Sequence, residues 1–307
     1  MCSSTSNFRL KDYRVDDLAS AWKGVFGFDP FPPGSESTVI TKVRCTVCEI
    51  CFYTPSIAGD KSFYSKLSKF PWYYESQKWE FDMAMEYISE YKPSSLLEIG
   101  CGSGQFLDKV RNAIPESEGV DINEDAIALC KAKGLKVWSG ELFESGKRYE
   151  MIVLFQVLEH LENVASILDK IIGMLAPGGM LLIAVPNPDS YLKESELELG
   201  DMPPHHALNM NRKSLEYIGS SRSLEMIKYA QEPLRYRHYL VYLNTLVNQH
   251  FGTMKPSMKA RLQSKIQRKA TMFLAPFRFV QDKAAICGQT HLALYRKGGE
   301  SDNARLA

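Results

Sequence analysis

Glu98, Gly100, Gly102, Gly104 and Asp121 are the residues whose types and spacing point most directly to chemistry. The glycines, with Cys101 between the first two, follow the apolar run from Leu96 to Ile99. A helical pattern through Phe106, Leu107 and Val110 comes after them. A strand that turns through glycines into a helix lets the backbone approach a ligand closely, and the helix start favours negative or electron-rich groups. A second set is His160, His205 and His206, imidazoles that titrate near neutrality and suit the acceptance of a proton. Cys45, Cys48 and Cys51 form a third set. One Cys-x-x-Cys pair supplies two of the four ligands of a structural zinc ion, and the sequence before Cys45 adds only Cys2 and no histidine. A vestigial ribbon without metal is expected, and no metal site elsewhere.

The spacing around the glycines separates two kinds of cofactor. A dinucleotide fingerprint, Gly-x-Gly-x-x-Gly, would need a glycine where Gln105 stands. Glu98 instead completes Glu-x-Gly-x-Gly-x-Gly. Gly119-Val120-Asp121-Ile122 reads as a second strand, and a carboxylate at its tip can accept both hydroxyls of a ribose. Leu135 to Trp138 reads as a third strand that leads to Glu141 and Leu142. Tyr149 to Phe155 is a near-continuous apolar run, as in a central parallel strand covered on both faces, and it ends at Gln156.

The Glu-x-Gly-x-Gly-x-Gly loop resembles motif I of the Rossmann-like methyltransferases that use S-adenosylmethionine. Gln156-Val-Leu-Glu-His-Leu161 and Met174 to Val185 are similar to segments of small-molecule methyltransferases of the ubiquinone-biosynthesis O-methyltransferase type, as is Asp201-Met-Pro-Pro-His-His-Ala-Leu208. The resemblance covers roughly 80–219. It implies an α/β fold, a seven-stranded sheet with helices on both faces. It also implies that Glu98, Gly100, Cys101, Gly102, Gly104, Asp121, Ile122, Phe155 and Gln156 line the cofactor, with Glu141 and Leu142 at the adenine. In such enzymes helices ahead of the first strand close over the cofactor, and Tyr73, Tyr74 or Trp79 could face the sulfonium by cation–π attraction; Tyr74 is the expected contact. His205 or His206, in a loop that borders the acceptor, is the expected general base. His160 is expected beside the cofactor.

The elements that must position these residues divide the chain into four parts. Residues 1–70 form an accessory segment, 71–234 the cofactor-binding core, 235–285 a helical insertion, and 286–307 a last, antiparallel strand and tail. Phe81, Ala84, Met85 and Ile88 lie on one face of a helix leading into the first strand. Ser223 to Tyr229 and His291 to Tyr295 read as the sixth and seventh strands. The insertion is basic and amphipathic over 257–280, a composition for a lid or homodimer helix, with peripheral membrane contact as the alternative.

Among 307 residues, 37 Lys and Arg balance 36 Asp and Glu, so no field draws in nucleic acid. No apolar run reaches the roughly 20 residues that span a bilayer. The start of the chain lacks a secretory core, and seven unevenly spaced cysteines suit reduced thiols, so a cytoplasmic protein is expected. Phe155-Gln-Val-Leu158 stands where base- and amide-directed N-methyltransferases carry an Asn/Asp-Pro-Pro-aromatic turn. A small-molecule, sugar or lipid-linked acceptor remains, methylated at oxygen before carbon. The rival readings are a catalytically silent methyltransferase-like binding protein and an NAD(P)-dependent oxidoreductase.

Overall fold

The computed structural model describes residues 2, 4–70, 73, 75–140, 146–194, 198–252 and 273–299. Tyr74, Glu141 and Leu142 fall outside these residues, as does most of the basic stretch 257–280. The chain divides into two compact units. One comprises Met1–Pro186, Leu199–Ala230 and Leu292–Ala307, the other Asn187–Glu198 and Gln231–His291.

In the first unit the strands are β1 (Asn7–Arg14), β2 (Val39–Cys45), β3 (Cys51–Thr54), β4 (Ser95–Ile99), β5 (Glu116–Asp121), β6 (Val137–Ser139), β7 (Tyr149–Phe155), β8 (Leu175–Pro186) and β9 (Leu208–Asn209), joined by β10 (Leu224–Pro233) and β11 (Cys287–Lys297). Seven of them form one sheet in the order β10-β11-β8-β7-β4-β5-β6. The five strands from β6 to β8 in that order pair in parallel, Leu97 standing opposite Glu118 on one side and Ile152 on the other. The order reverses at β4, the first strand of the sheet in sequence. Its exit is therefore the switch point where α/β sheets open a crevice for ligands.

Two apolar layers follow from the period of two along each strand. Leu97, Ile152, Leu154, Leu181 and Ile183 face one way, against Leu168 and Ile171 of α6 (Val164–Gly173) and Leu215 and Ile218 of α7 (Arg212–Ser220). Leu96, Met151, Val153, Leu182 and Ala184 face the other. They meet Phe81 and Ile88 of α3 (Trp79–Tyr91), Phe106 and Val110 of α4 (Gln105–Val110), and Ile127 of α5 (Glu124–Ala132). The α/β class with helices on both faces is therefore as expected. Several strand boundaries differ from the sequence reading: the second starts earlier, at Glu116, the third lies later, at Val137–Ser139, and the sixth and seventh run longer, as β10 and β11.

The first 70 residues add α1 (Val15–Phe26) and α2 (Lys61–Leu67), and β1, β2 and β3 pair antiparallel in a second sheet. Its fourth strand comes from far along the chain: β9 pairs with β3, Leu208 opposite Phe52 and Asn209 opposite Cys51. Val15, Trp22, Ile40, Tyr53 and Phe63 form the apolar core of this segment, and Leu199 and Met202 pack into it from the loop ahead of β9. Ala207, Leu208 and Met210 are buried with the sheet's other apolar layer. The loop 199–210 is thus anchored at both ends, each buried large side chain contributing about 1.5–3 kcal/mol.

In the second unit α8 (Tyr236–Gly252) and a helical segment at 273–282 carry part of the expected insertion. Tyr191, Leu234, Tyr239, Leu243 and Ala275 form its core. Among the described residues, no helix is long and apolar enough to cross a membrane.

The turn after β4 leaves no room for a side chain at its first glycine. Gly100 has φ +72°, and a Cβ there would stand 2.4 Å from Val157 Cγ2. Gly100→Ala should destabilise the protein both by this overlap and by the left-handed backbone, which costs an L-residue roughly 1–2 kcal/mol. Adding Val157→Ala removes the overlap and leaves the backbone cost, so urea melts of the double variant should show partial recovery. Full recovery, or none, would refute this assignment of the strain.

Candidate functional site

Backbone hydrogen bonds give the glycine turn its shape. Gly100 N and Cys101 N both donate to Val120 O, at 2.8 and 3.1 Å, so the turn is tied to the end of β5. Gly102 N donates to Asp121 Oδ2 at 2.8 Å, and Asn123 N donates to Asp121 Oδ1 at 2.8 Å. Asn123 in turn accepts from Asp125 N and Ala126 N at the start of α5. Cys130 Sγ donates to Gly102 O and Lys133 Nζ to Ser103 O, holding the turn from the α5 side. Gly104 is the left-handed N-cap of α4, and a Cβ there would strike Leu135 and Cys130.

Asp121 is the hub of this arrangement. Burial raises its carboxyl pKa, while the backbone N–H groups of Asn123 and Gly102 pull it back. The N–H of Ile122 adds a third backbone donor, and two carboxylate oxygens with about four acceptor sites still keep capacity for a ligand. Beside it Ile122 is 59% exposed, an apolar surface that a planar base could cover. A carboxylate with spare acceptor sites, next to a glycine turn and an uncovered apolar side chain, fits the ribose and adenine of S-adenosylmethionine.

The other expected cofactor residues differ in setting. Glu98 is buried under the turn, its Oε2 without a partner among the described residues, and burial raises its pKa well above the carboxylate range. Phe155 packs edge-on against Phe81 and Phe106 at 5.0 and 4.8 Å between ring centres, which makes it part of the core. Gln156 adopts a left-handed φ of +58°, and its Nε2 lies 3.5 Å from Glu80 Oε1. Tyr73 has its ring 6.3 Å from that of His205.

The three histidines, expected to border the cofactor and the acceptor, form one group in which His205 and His206 are buried and His160 is partly so. His160 ends the short 3-10 turn Leu158–His160 after β7, and His205 and His206 lie in the anchored loop. Ring centres are 4.8 Å apart for His160 and His205, 4.8 Å for His160 and His206, and 4.3 Å for His205 and His206. His160 Nδ1 lies 2.7 Å from His205 O, and His205 Nδ1 lies 2.8 Å from Gly200 O. His206 Nδ1 is 3.1 Å from Asp201 Oδ1. Tyr64 donates its hydroxyl to His205 O at 3.3 Å. Burial, joined by the neighbouring imidazoles, holds His205 and His206 well below the usual histidine range, and burial brings His160 down to about 4. Glu159 sits among them, 1% exposed, its carboxyl pushed up by burial to about 8. Asp201 lies in a stretch the sequence singles out, yet its bond to His206 leaves no mark there, and no spacing links Tyr64 to either loop.

The cysteines also group differently from the sequence reading. Cys2 Sγ lies 3.4 Å from Cys45 Sγ and 3.5 Å from Cys48 Sγ, while Cys51 lies in β3 outside this group. Burial works against ionisation of Cys45, but the N–H groups of Cys48 and Val47 and the adjacent thiols outweigh it, bringing Cys45 down to about 7.

Comparison with known proteins adds the family. The sequence model of a methyltransferase domain matches residues 80–229. The malonyl-[acyl-carrier protein] O-methyltransferase 2 of Ilyobacter polytropus is 31% identical over 131 residues, covering 40% of this chain and 50% of that protein. A ubiquinone biosynthesis O-methyltransferase of Rhizobium etli is 29% identical over 101 residues, covering 30% of this chain and 41% of that protein. The chain thus spans about half the length of the curated relatives it matches. A solved S-adenosylmethionine-dependent methyltransferase from Archaeoglobus fulgidus aligns at a TM-score of 0.46 and 18% identity, covering 71% of this chain and 94% of the other. Residues 80–229 are a class I, S-adenosylmethionine-dependent methyltransferase domain, and the oxidoreductase alternative falls away.

Removing the hub should uncouple the cofactor. Asp121→Ala should weaken S-adenosylhomocysteine binding about 10- to 100-fold, the worth of one or two hydrogen bonds to a charged group. Calorimetry that finds unchanged affinity in a folded variant would sink the role given to Asp121.

Proposed function

We propose that the chain transfers the methyl group of S-adenosylmethionine to a hydroxyl oxygen of a small-molecule, glycan or lipid-linked acceptor. The observation that supports this most is the packing of the two halves of the site against each other. Gly100 of the glycine turn abuts Val157, three residues before His160. The histidine-bearing turn after β7 therefore adjoins the cofactor turn after β4, with no spacer between them.

Methyl transfer from a sulfonium is an in-line displacement, and the cofactor brings the electrophile when bound. The protein's share is to hold the acceptor oxygen on the line of attack and to keep water away. Asp121 and the turn from Gly100 to Gly104 fix one side. The loop 199–210, anchored at both ends, fixes the other. The buried histidines are neutral at pH 7, so each carries a nitrogen lone pair that can take the acceptor's proton. His160 is the most exposed of them, its side chain at 17% against 7% for His206. We assign the proton to this group, with His205 and His206 as its other members. The names of two relatives, both O-methyltransferases, favour oxygen. The described cysteines are all free, as in a reducing compartment, which fits action in the cytoplasm.

Incubation with methyl-labelled S-adenosylmethionine and a panel of phenols, sugars and carboxylic acids, read by mass spectrometry, should place the label on oxygen. His160→Ala and His206→Ala should lower turnover by about 10²- to 10⁴-fold while S-adenosylhomocysteine affinity holds. Label on nitrogen or carbon would refute the choice of oxygen. Full turnover in both variants would refute the histidines' part in it.

A further inference from the structure

The histidine group has a proton inventory that a base alone does not need. A backbone carbonyl can only accept, so the Nδ1 atoms facing His205 O and Gly200 O must carry their protons. Asp201 Oδ1 fixes the same tautomer on His206. His205 and His206 therefore keep their lone pairs on Nε2, while His160 also bonds the backbone of Gln156. The acceptors gathered here exceed the donors. His205 Nε2 and both carboxylate oxygens of Glu159 are buried without a hydrogen-bond partner among the described residues. Glu159 Oε1 lies 3.9 Å from His160 Nε2 and 4.0 Å from His206 Nε2. The three imidazoles offer ligand atoms that all lie within 4.8 Å of one another. Leaving buried acceptors unmade costs about 1–3 kcal/mol each, so a group of them calls for a positive centre.

We infer that His160, His205 and His206 bind a single divalent transition-metal ion, one ring nitrogen from each, with Glu159 the carboxylate beside it. Imidazole with carboxylate suits zinc, and iron(II), cobalt(II) or nickel(II) after it, rather than magnesium or calcium. A second feature supports it. Metal-bound histidines almost always give their other N–H to a carbonyl or carboxylate, which fixes the ring and its tautomer. Here each of the three does so, to His205 O, Gly200 O and Asp201. Zinc–nitrogen bonds run about 2.0–2.1 Å, so the rings close inward by small side-chain rotations on binding. Such an ion ties the loop 199–210 to the turn after β7.

The inference rests on the proposed site and changes one part of the proposed reaction, the histidines' role as base, but its test does not need that reaction. A bound ion would occupy imidazole lone pairs and so replace the histidines as base: it would lower the pKa of an acceptor hydroxyl, whose proton would pass to water. The expectation of no metal rests on the cysteine spacing, and the sequence reading took His160, His205 and His206 as candidates for proton transfer only.

Zinc and cobalt(II) binding to the chelator-treated full chain, with neither cofactor nor acceptor present, tests it. One ion per chain should bind with a cobalt spectrum of nitrogen and oxygen ligation, and zinc should raise the melting temperature. His206→Ala should abolish this site. Asp201→Asn, which keeps the shape but loses the orienting carboxylate, should weaken zinc about 10- to 100-fold. A thiolate-to-cobalt charge-transfer band would trace an ion to Cys2, Cys45 and Cys48 instead. An ion that shows only that band, or one that binds His206→Ala as tightly as the parent, would overturn the inference. Loss of S-adenosylhomocysteine binding with metal binding intact would count against the methyltransferase reading and leave the metal site standing.

Discussion

One carboxylate organises the turn at the end of β4. Asp121 ends β5 and receives the N–H of Gly102 from the turn on one side and that of Asn123 from the start of α5 on the other. Three pieces of chain are brought to one point: a strand tip, a glycine turn and a helix cap. Because backbone donors hold the carboxylate, its orientation is settled before any ligand arrives. A preset acceptor spares the ligand the cost of ordering it. The same bonds offset part of the cost of burial, which by itself raises the pKa of this group.

The second organising constraint is the anchored loop. Leu199 and Met202 sit in the core of the N-terminal segment, and Ala207 and Leu208 sit against the large sheet. Between these anchors the backbone has little freedom, and Ala207 N donates to Glu159 O at 2.8 Å, closing the loop onto the turn after β7. His205 and His206 are therefore placed by packing rather than by the helix or strand geometry of their own segment. Asp201, Gly200 and Tyr64 then fix the rings.

That division explains what could be read from the sequence. The glycine turn, Asp121 and the parallel strands are local features, set by residues within a few positions of each other. Their periodicity and turn chemistry show in the letters. Helices on both faces follow from buried strands such as Tyr149–Phe155, which are apolar almost throughout. The histidine group is non-local, joining residues 45 apart through contacts with Tyr64, still further away. No spacing rule announces such a meeting. The same holds for Cys2, which meets Cys45 and Cys48 across more than forty residues and reads in sequence as an isolated thiol. The strands of residues 7–54 were also hard to read, because β1 is largely exposed and shows no alternation of buried and open positions.

The two-residue strand β9 has a consequence for how the chain acquires its structure. Its partners in β3 lie more than 150 residues earlier, so the small N-terminal sheet closes only when the chain has passed Asn209. A ribosome makes the first strands of that sheet well before their last neighbour exists. Until then β3 offers an open edge, and its pairing adds a long loop-closure cost to folding, as non-local contacts do. Completion of the sheet locks the loop carrying His205 and His206, so the placing of these two side chains waits until the chain has passed Asn209.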